Sequence, residues 1–198
     1  MEQDAYPFRQ DQLLQDQIKE DALEQNQLQQ GKKQDHPHQG QLNQSQMDQG
    51  DLQQLICGLS QTDNKSAYQC LKRLLAESGE SSKVYPYVKV FIQMMGEPNS
   101  YIRTRGLVLI AANARWDADH RIDEIIDEYL AHVVDEKPIT ARQCIQALPQ
   151  IALHKPELSD DICAALVKAN TQRYPGSMQP LVQKDIREAL RKIRSLYE

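Results

Sequence analysis

Residues 98–114, PNSYIRTRGLVLIAANA, decide the predicted fold of this chain. Pro98 and Asn99 supply a turn and a candidate helix N-cap. The small and apolar residues that follow recur at steps of three and four, which places them on one face of a helix. They are Ile102, Gly106, Leu107, Ile110 and Ala114. Residues 84–95 carry a helical stripe of their own, so the two segments predict a helix-turn-helix unit of about 34 residues, a size typical of repeat arrays.

Composition divides the chain into a tail and a body. Residues 1–50 hold 15 glutamines, nine acidic and four basic residues and no sustained apolar period. Such a segment buries too little apolar surface to offset its ordering entropy, so it is predicted to be a disordered, Gln-rich tail. Residues 51–198 carry 19 acidic and 19 basic side chains, so the net charge of -5 lies in the tail. A neutral body argues against a dedicated nucleic-acid binder but leaves room for a local basic patch.

Eight helices are predicted along the body, and they form four consecutive hairpins. Their ranges are 52–59, 65–78, 84–95, 98–114, 122–133, 139–154, 156–169 and 178–197. The second helix of each hairpin repeats a pattern of one small residue followed by branched apolar residues, as in Cys70-Leu71 and Gly106-Leu107. Successive copies lie about 36, 38 and 42 residues apart, near the length of HEAT and armadillo units. The pattern predicts an all-α solenoid over residues 51–198.

Two turns resemble the HEAT-repeat signature. Residues 97–103, EPNSYIR, place a proline-containing acidic turn before a hydrophobic-Arg pair, and residues 135–142, DEKPITAR, look like a second copy. The chain is therefore similar to HEAT/armadillo-like helical repeat proteins, including short bacterial HEAT-like proteins, over residues 52–197. This resemblance implies a right-handed α-α superhelix whose second helices line a concave face. It also implies a non-catalytic scaffold that binds another protein or peptide.

The arginines of these turns have two interpretations. In HEAT-like proteins the arginine that matches Arg103 and Arg142 commonly bonds an acidic or carbonyl group in a neighbouring turn, which implies a structural ladder. The alternative is a binding surface on the concave face. The predicted contact set is Arg103, Arg105, Asn113, Trp116, Arg142 and Gln143.

Trp116 and the acidic residues after it also have more than one interpretation. The ring either closes the top of a hairpin, with the aspartates capping the next helix, or forms a binding hot spot. Asp117, Asp119 and His120 form a weak candidate metal site, and we predict no bound metal. HEAT-like DNA glycosylases use Trp, Asp and Arg on their concave face, but this body is shorter and its spacing does not match theirs.

A basic stripe is predicted on the last helix, opposite its apolar face. It consists of Lys184, Arg187, Arg191 and Arg194. Such a stripe is usually a solvated face that also suits a helix C-terminus. Otherwise it contacts an acidic peptide, a nucleic-acid backbone or an acidic face of another copy. Binding to nucleic acid through basic surfaces is accordingly the alternative function.

Other features of the sequence favour a cytoplasmic protein without catalysis or cofactor. The four cysteines have no CxxC pair, so they are interpreted as reduced core residues, with a scattered zinc site as the alternative. They are Cys57, Cys70, Cys144 and Cys163. No nucleophile motif or phosphate-binding glycine loop is present. The sequence also lacks a secretory signal pattern and any run of 18 apolar residues, so no membrane association is predicted.

Overall fold

The computed structural model describes residues 48–198, which fold into eight α-helices. The helices are α1 (Gln49–Gly58), α2 (Asn64–Glu80), α3 (Val88–Met95), α4 (Ser100–Ala112), α5 (Arg121–Ala131), α6 (Pro138–His154), α7 (Ser159–Lys168) and α8 (Gln179–Arg194). The prediction of an all-α protein with eight helices is confirmed. The predicted disorder of the tail lies outside the described residues as far as residue 47.

Side-chain caps explain where several helices begin. The carboxylate of Asp48 accepts a hydrogen bond from the backbone N–H of Asp51 at 2.7 Å, so α1 begins at Gln49 rather than at the predicted Leu52. Asn99 caps α4 as predicted, because its Oδ1 accepts from the N–H of Tyr101 at 3.0 Å.

The segment predicted as one helix over residues 84–95 is divided in the structure. A 3-10 helix, Ser82–Tyr87, precedes α3 and contains Pro86. Proline lacks a backbone N–H and cannot continue the α-helical bonding of the preceding turn, so the regular helix begins only at Val88. The side chain of Ser81 caps this segment by accepting from the N–H of Lys83.

Helix α4 is the centre of the packing. It contacts α2, α3 and α6, and α6 in turn contacts α8. Gly106 faces α3 so closely that a Cβ atom there would lie 2.6 Å from the carbonyl oxygen of Phe91 and 2.8 Å from the nitrogen of Met95. Because α4 has neighbours on three sides, polar residues on it are buried together with its apolar ones.

One hydrophobic core runs through the eight helices. Among its largest fully buried side chains are Leu74, Phe91, Leu107, Tyr129 and Leu148. The last helix contributes an amphipathic face, as predicted, and buries Val182, Ile186, Ala189 and Ile193. None of the helices within residues 48–198 is long and apolar enough to cross a membrane.

Candidate binding surface

Arg103 is held inside the protein by a bidentate ion pair. Its Nε and Nη2 each donate to a carboxylate oxygen of Asp135 at 2.8 Å, and its Nη1 donates to the carbonyl oxygens of Glu97 and Pro98. The two charged side chains are only 7% and 3% exposed. Arg103 therefore joins the turn before α4 to the turn before α6, the arrangement expected of a structural ladder.

Asp135 is the centre of a larger polar cluster. The carboxylate also bonds the ring of His132 at 2.8 Å and the N–H of Lys137 at 2.9 Å. Its own carbonyl accepts from the hydroxyl of Tyr174 at 2.8 Å. The sequence placed Asp135 in a HEAT-like turn but did not identify its partners, which lie up to 39 residues away.

Two more members of the predicted contact set are buried. Arg105 donates to the carbonyl of Leu59 at 2.7 Å and to the side-chain oxygen of Asn64 at 2.8 Å. Burial lowers the pKa of its guanidinium. Asn113 donates to the hydroxyl of Ser78 at 3.0 Å. Together with Arg103, these side chains present little surface to a partner, so their binding role stays a prediction that burial disfavours.

Arg142 and Gln143 lie side by side on α6 but in different surroundings. The guanidinium of Arg142 pairs with Asp185 on α8, whose carboxylate also accepts from the amide of Gln146 at 3.0 Å. The Arg142 side chain is 13% exposed. Gln143 is half-buried and is more accessible to a partner than the buried arginines.

Trp116 is hydrogen-bonded to the end of α2. Its indole Nε1 donates to the carbonyl of Ser78 at 2.7 Å. The guanidinium of Arg115 lies 4.5 Å from the ring centroid and donates to the carbonyl of Gly79. These contacts favour the interpretation in which the ring closes one end of a pair of helices, while the half-buried indole keeps part of its surface accessible.

Asp117 caps α5, as one interpretation of the sequence predicted. Its carboxylate accepts from the N–H groups of Arg121 and Ile122 and from the hydroxyl of Tyr85 at 2.6 Å. Burial, with the hydrogen bond to Asp117, raises the pKa of that tyrosine well above its usual range. The ammonium of Lys155 lies 2.9 Å from the same carboxylate.

The ligand atoms of the candidate metal site do not converge. Asp119 pairs with Arg121, whereas His120 lies within 4.8 Å of a different pair, Asp123 and Glu157. The Nζ atom of Lys155 is 2.8 Å from a carboxylate oxygen of Asp123 and 3.4 Å from the ring of His120. A cation of the protein thus already pairs with one of the two carboxylates of this cluster.

The four cysteines form no such cluster within residues 48–198. The alternative of a scattered zinc site therefore gains no support.

Neither Lys155 nor its acidic partners stood out in the sequence as a group. They come together only because the end of α6 meets the start of α5.

The basic stripe of α8 lies on the surface. Lys184, Arg187, Arg191 and Arg194 are all exposed. Lys184 lies 3.7 Å from Glu188, a pair of two exposed side chains that adds little stability. In the part of the chain that the structure describes, the three arginines make no ion pair with an acidic residue.

A second accessible surface lies along α4 and α6. Successive residues of an α-helix are turned by about 100°, so the residues two and six positions after Gly106 lie opposite the face that contacts α3. The same spacing on α6 places accessible residues opposite Cys144, which contacts the carbonyl of Tyr129 on α5. We call these residues the uncharged strip: Val108, Ala112, Gln143, Gln146, Gln150 and Leu153.

Comparison of the chain with protein-family models, curated proteins and solved structures finds no match. The resemblance to HEAT-like proteins therefore rests on the residues quoted for it. What the structure adds is the burial of the charged members of the predicted contact set and the exposure of two other surfaces, the uncharged strip and the basic stripe.

Three aspartates of the polar clusters have lowered pKa values. Burial alone raises the pKa of Asp135, but hydrogen bonds from His132 and Arg103 outweigh it, and the net pKa lies well below its ordinary value of 3.8. At Asp117 and Asp123 burial is likewise outweighed by hydrogen bonds, from Lys155 among others, so both pKa values are lowered. Folding is therefore linked to proton release from these carboxyl groups.

We expect acid to destabilise the fold through these groups. A carboxyl whose folded-state pKa lies below its unfolded value adds stability above that unfolded pKa, and the stability is lost as the pH falls through the folded-state pKa. The free energy of unfolding should decrease between about pH 5 and pH 2, measured by urea unfolding at a series of pH values. Asp135→Asn should flatten the slope, with the exposed Asp127→Asn as the matched control. An equal slope in both variants would contradict the linkage.

Proposed function

We propose that residues 48–198 form a HEAT-like array of four helical hairpins, a right-handed α-α superhelix. The order in which the second helices pack supports this: α2 contacts α4, α4 contacts α6, and α6 contacts α8. Polar contacts between them join residues about one repeat apart. Asn113 bonds Ser78, 35 residues away, and Thr104 bonds Thr140, 36 residues away.

We infer that this array is a non-catalytic scaffold that binds another protein or peptide. The observation that carries the proposal is the uncharged strip, which lies on the side of α4 and α6 that faces away from α3 and α5. The amide nitrogens of Gln146 and Gln150 already contact Asp185 and His154, so these side chains offer a partner mainly their carbonyl oxygens, whereas Gln143 offers its whole amide. The small and aliphatic residues of the strip offer apolar contact, and no residue of the strip carries a charge of its own that needs desolvation. The ion pairs Arg103–Asp135 and Arg142–Asp185 join α4 to the turn before α6 and α6 to α8, and so preorganise the surface.

The test is affinity capture with the full chain as bait from a lysate of its native host. The double variant Gln143→Lys, Gln150→Lys places two cations on the strip. The matched control, Gln54→Lys, Gln93→Lys, makes the same change at exposed positions on α1 and α3. We expect a protein that survives nuclease treatment to bind the wild type and the control at least about tenfold better than the strip variant. Equal capture by both variants would place the binding surface elsewhere.

Binding to nucleic acid through the basic stripe is the second candidate function. It is supported by the exposure of these four cations and by the absence, in the described part of the chain, of acidic partners for the three arginines. In the same experiment, capture that disappears with nuclease treatment would favour this alternative. Its affinity should fall as salt rises, because each phosphate contact releases counterions.

An excision enzyme is not proposed. The residues that would act in a glycosylase-like site are occupied by other groups of the chain: Arg103 by Asp135, Trp116 by Ser78, and Asp117 by Tyr85 and Lys155. Arg103 and Asp117 are buried in these contacts, and only part of the Trp116 ring is accessible.

A further inference from the structure

The basic stripe lies on the last helix of the packing order. Helix α8 packs against α6 and α7 through its apolar side and Asp185, and its exposed Gln183 bonds Thr171 in the segment after α7. The four cations of the stripe remain exposed. The four cations follow one another at steps of three and four, so they span about 15 Å along the helix. The exposed side of α8 therefore carries a predominantly positive surface, interrupted by one exposed acid, Glu188.

The same chain carries a surface of opposite charge on α5. Glu124, Asp127 and Glu128 are exposed and form no ion pair among residues 48–198. They contrast with Asp123 on the same helix, which is bound to Lys155. No salt bridge joins α5 to α8 within the described part of one molecule. Each surface therefore keeps its charge available to a second molecule.

We propose that the basic stripe of one copy binds the acidic surface of α5 on a second copy. Charge complementarity supports this occupant: arginines without acidic partners on α8 match acids without basic partners on α5. A second copy is favoured over nucleic acid because residues 51–198 carry equal numbers of acidic and basic side chains, and because Glu188 lies beside Lys184 in the stripe.

The two surfaces are different, so the contact is head-to-tail. Contacts of this kind form a closed ring if the rotation between copies closes and an open chain if it does not. Both surfaces are solvent-exposed, so the association should be reversible and should weaken as salt screens the charges. The average mass should rise with protein concentration at low salt.

Charge exchange between the two surfaces tests the proposal. The first variant, Arg187→Glu, Arg191→Glu, reverses α8, and the second, Glu124→Arg, Glu128→Arg, reverses α5. We expect the full-length wild type to associate in sedimentation velocity at low salt. Each variant alone should bind itself at least about tenfold more weakly, and an equimolar mixture should recover the complex because opposite charges then face each other again. Thermal melts will show that these exposed substitutions preserve the fold.

The matched control for the α8 variant is Arg73→Glu, Lys89→Glu, which makes the same change in net charge as that variant at exposed sites on α2 and α3. It should associate like the wild type. A monomeric wild type at all concentrations, a control that loses association equally, or a mixture that stays monomeric would overturn the proposal. So would a wild type that stays monomeric yet binds a short single-stranded DNA, with this binding lost in the α8 variant; the stripe would then belong to nucleic-acid recognition.

Discussion

Replacing Asp135 with alanine should destabilise the protein by about 3–5 kcal/mol, because the change leaves the Arg103 cation buried without its counter-ion. The carboxylate also accepts hydrogen bonds from His132 and Lys137, which lose their acceptor at the same time. Urea unfolding followed by circular dichroism measures the loss. Stability of this kind depends on the geometry of a buried pair and not on the number of acids near the arginine.

Glu136 provides the control for this prediction. It also lies close to Arg103, at 3.6 Å, but its side chain is 67% exposed. Glu136→Ala should cost at most about 1 kcal/mol, since an exposed ion pair contributes little. The double variant Arg103→Met, Asp135→Ala should cost less than the sum of its single changes, because no charge is left buried alone. Equal costs for Asp135→Ala and Glu136→Ala would show that burial is not what makes the pair important.

Gly106→Ala is expected to have the second largest effect. The added Cβ would lie 2.6 Å from the carbonyl oxygen of Phe91 and 2.8 Å from the nitrogen of Met95, and both of these are backbone atoms that cannot rotate away. Helices α3 and α4 must move apart to admit the methyl group. We expect a loss of about 1–3 kcal/mol, the usual cost of overpacking, measured as a shift in the urea midpoint at constant slope.

Gly79→Ala is the matched change in an open environment. No atom lies within 4 Å of a Cβ built at this position near the end of α2. The substitution should stabilise the protein by roughly 0.5–1 kcal/mol, because alanine loses less backbone entropy than glycine in a helix. If Gly106→Ala lowers the free energy of unfolding and Gly79→Ala raises it, the loss at Gly106 comes from the close contact of α3 and α4 and not from helix propensity. A stabilising Gly106→Ala would show that the two helices separate easily.

The helices of residues 48–198 could be predicted because their signals are local. Asn99 caps α4 through an N–H two residues away. Pro138, predicted in the turn, is the first residue of α6, one position before the predicted start, because a first helical turn tolerates proline. The errors at helix ends have local causes too, such as the cap at Asp48 and the 3-10 turn around Pro86. The eight predicted helices therefore match the observed ones closely.

The candidate surface could not be predicted equally well, because burial depends on contacts between distant residues. One apolar stripe was predicted on α4, yet neighbours on three sides also bury Arg103 and Arg105. Lys155 received no role, since its partners Asp117 and Asp123 lie 38 and 32 residues earlier in the chain. The exposed stripe on α8 was predicted well because its helix contacts neighbours on one side only.

The turn around Asp135 is hydrogen-bonded both to residues that precede it and to residues that follow it in the sequence. Arg103 holds it from the preceding helices, while Tyr174 and Arg173 bond the carbonyls of Asp135 and Val134 from the segment after α7. Local opening of any one of these segments must break contacts that stabilise the other two. Elements linked in this way open as one cooperative unit, so the middle of the protein should resist proteases and hydrogen exchange as a block.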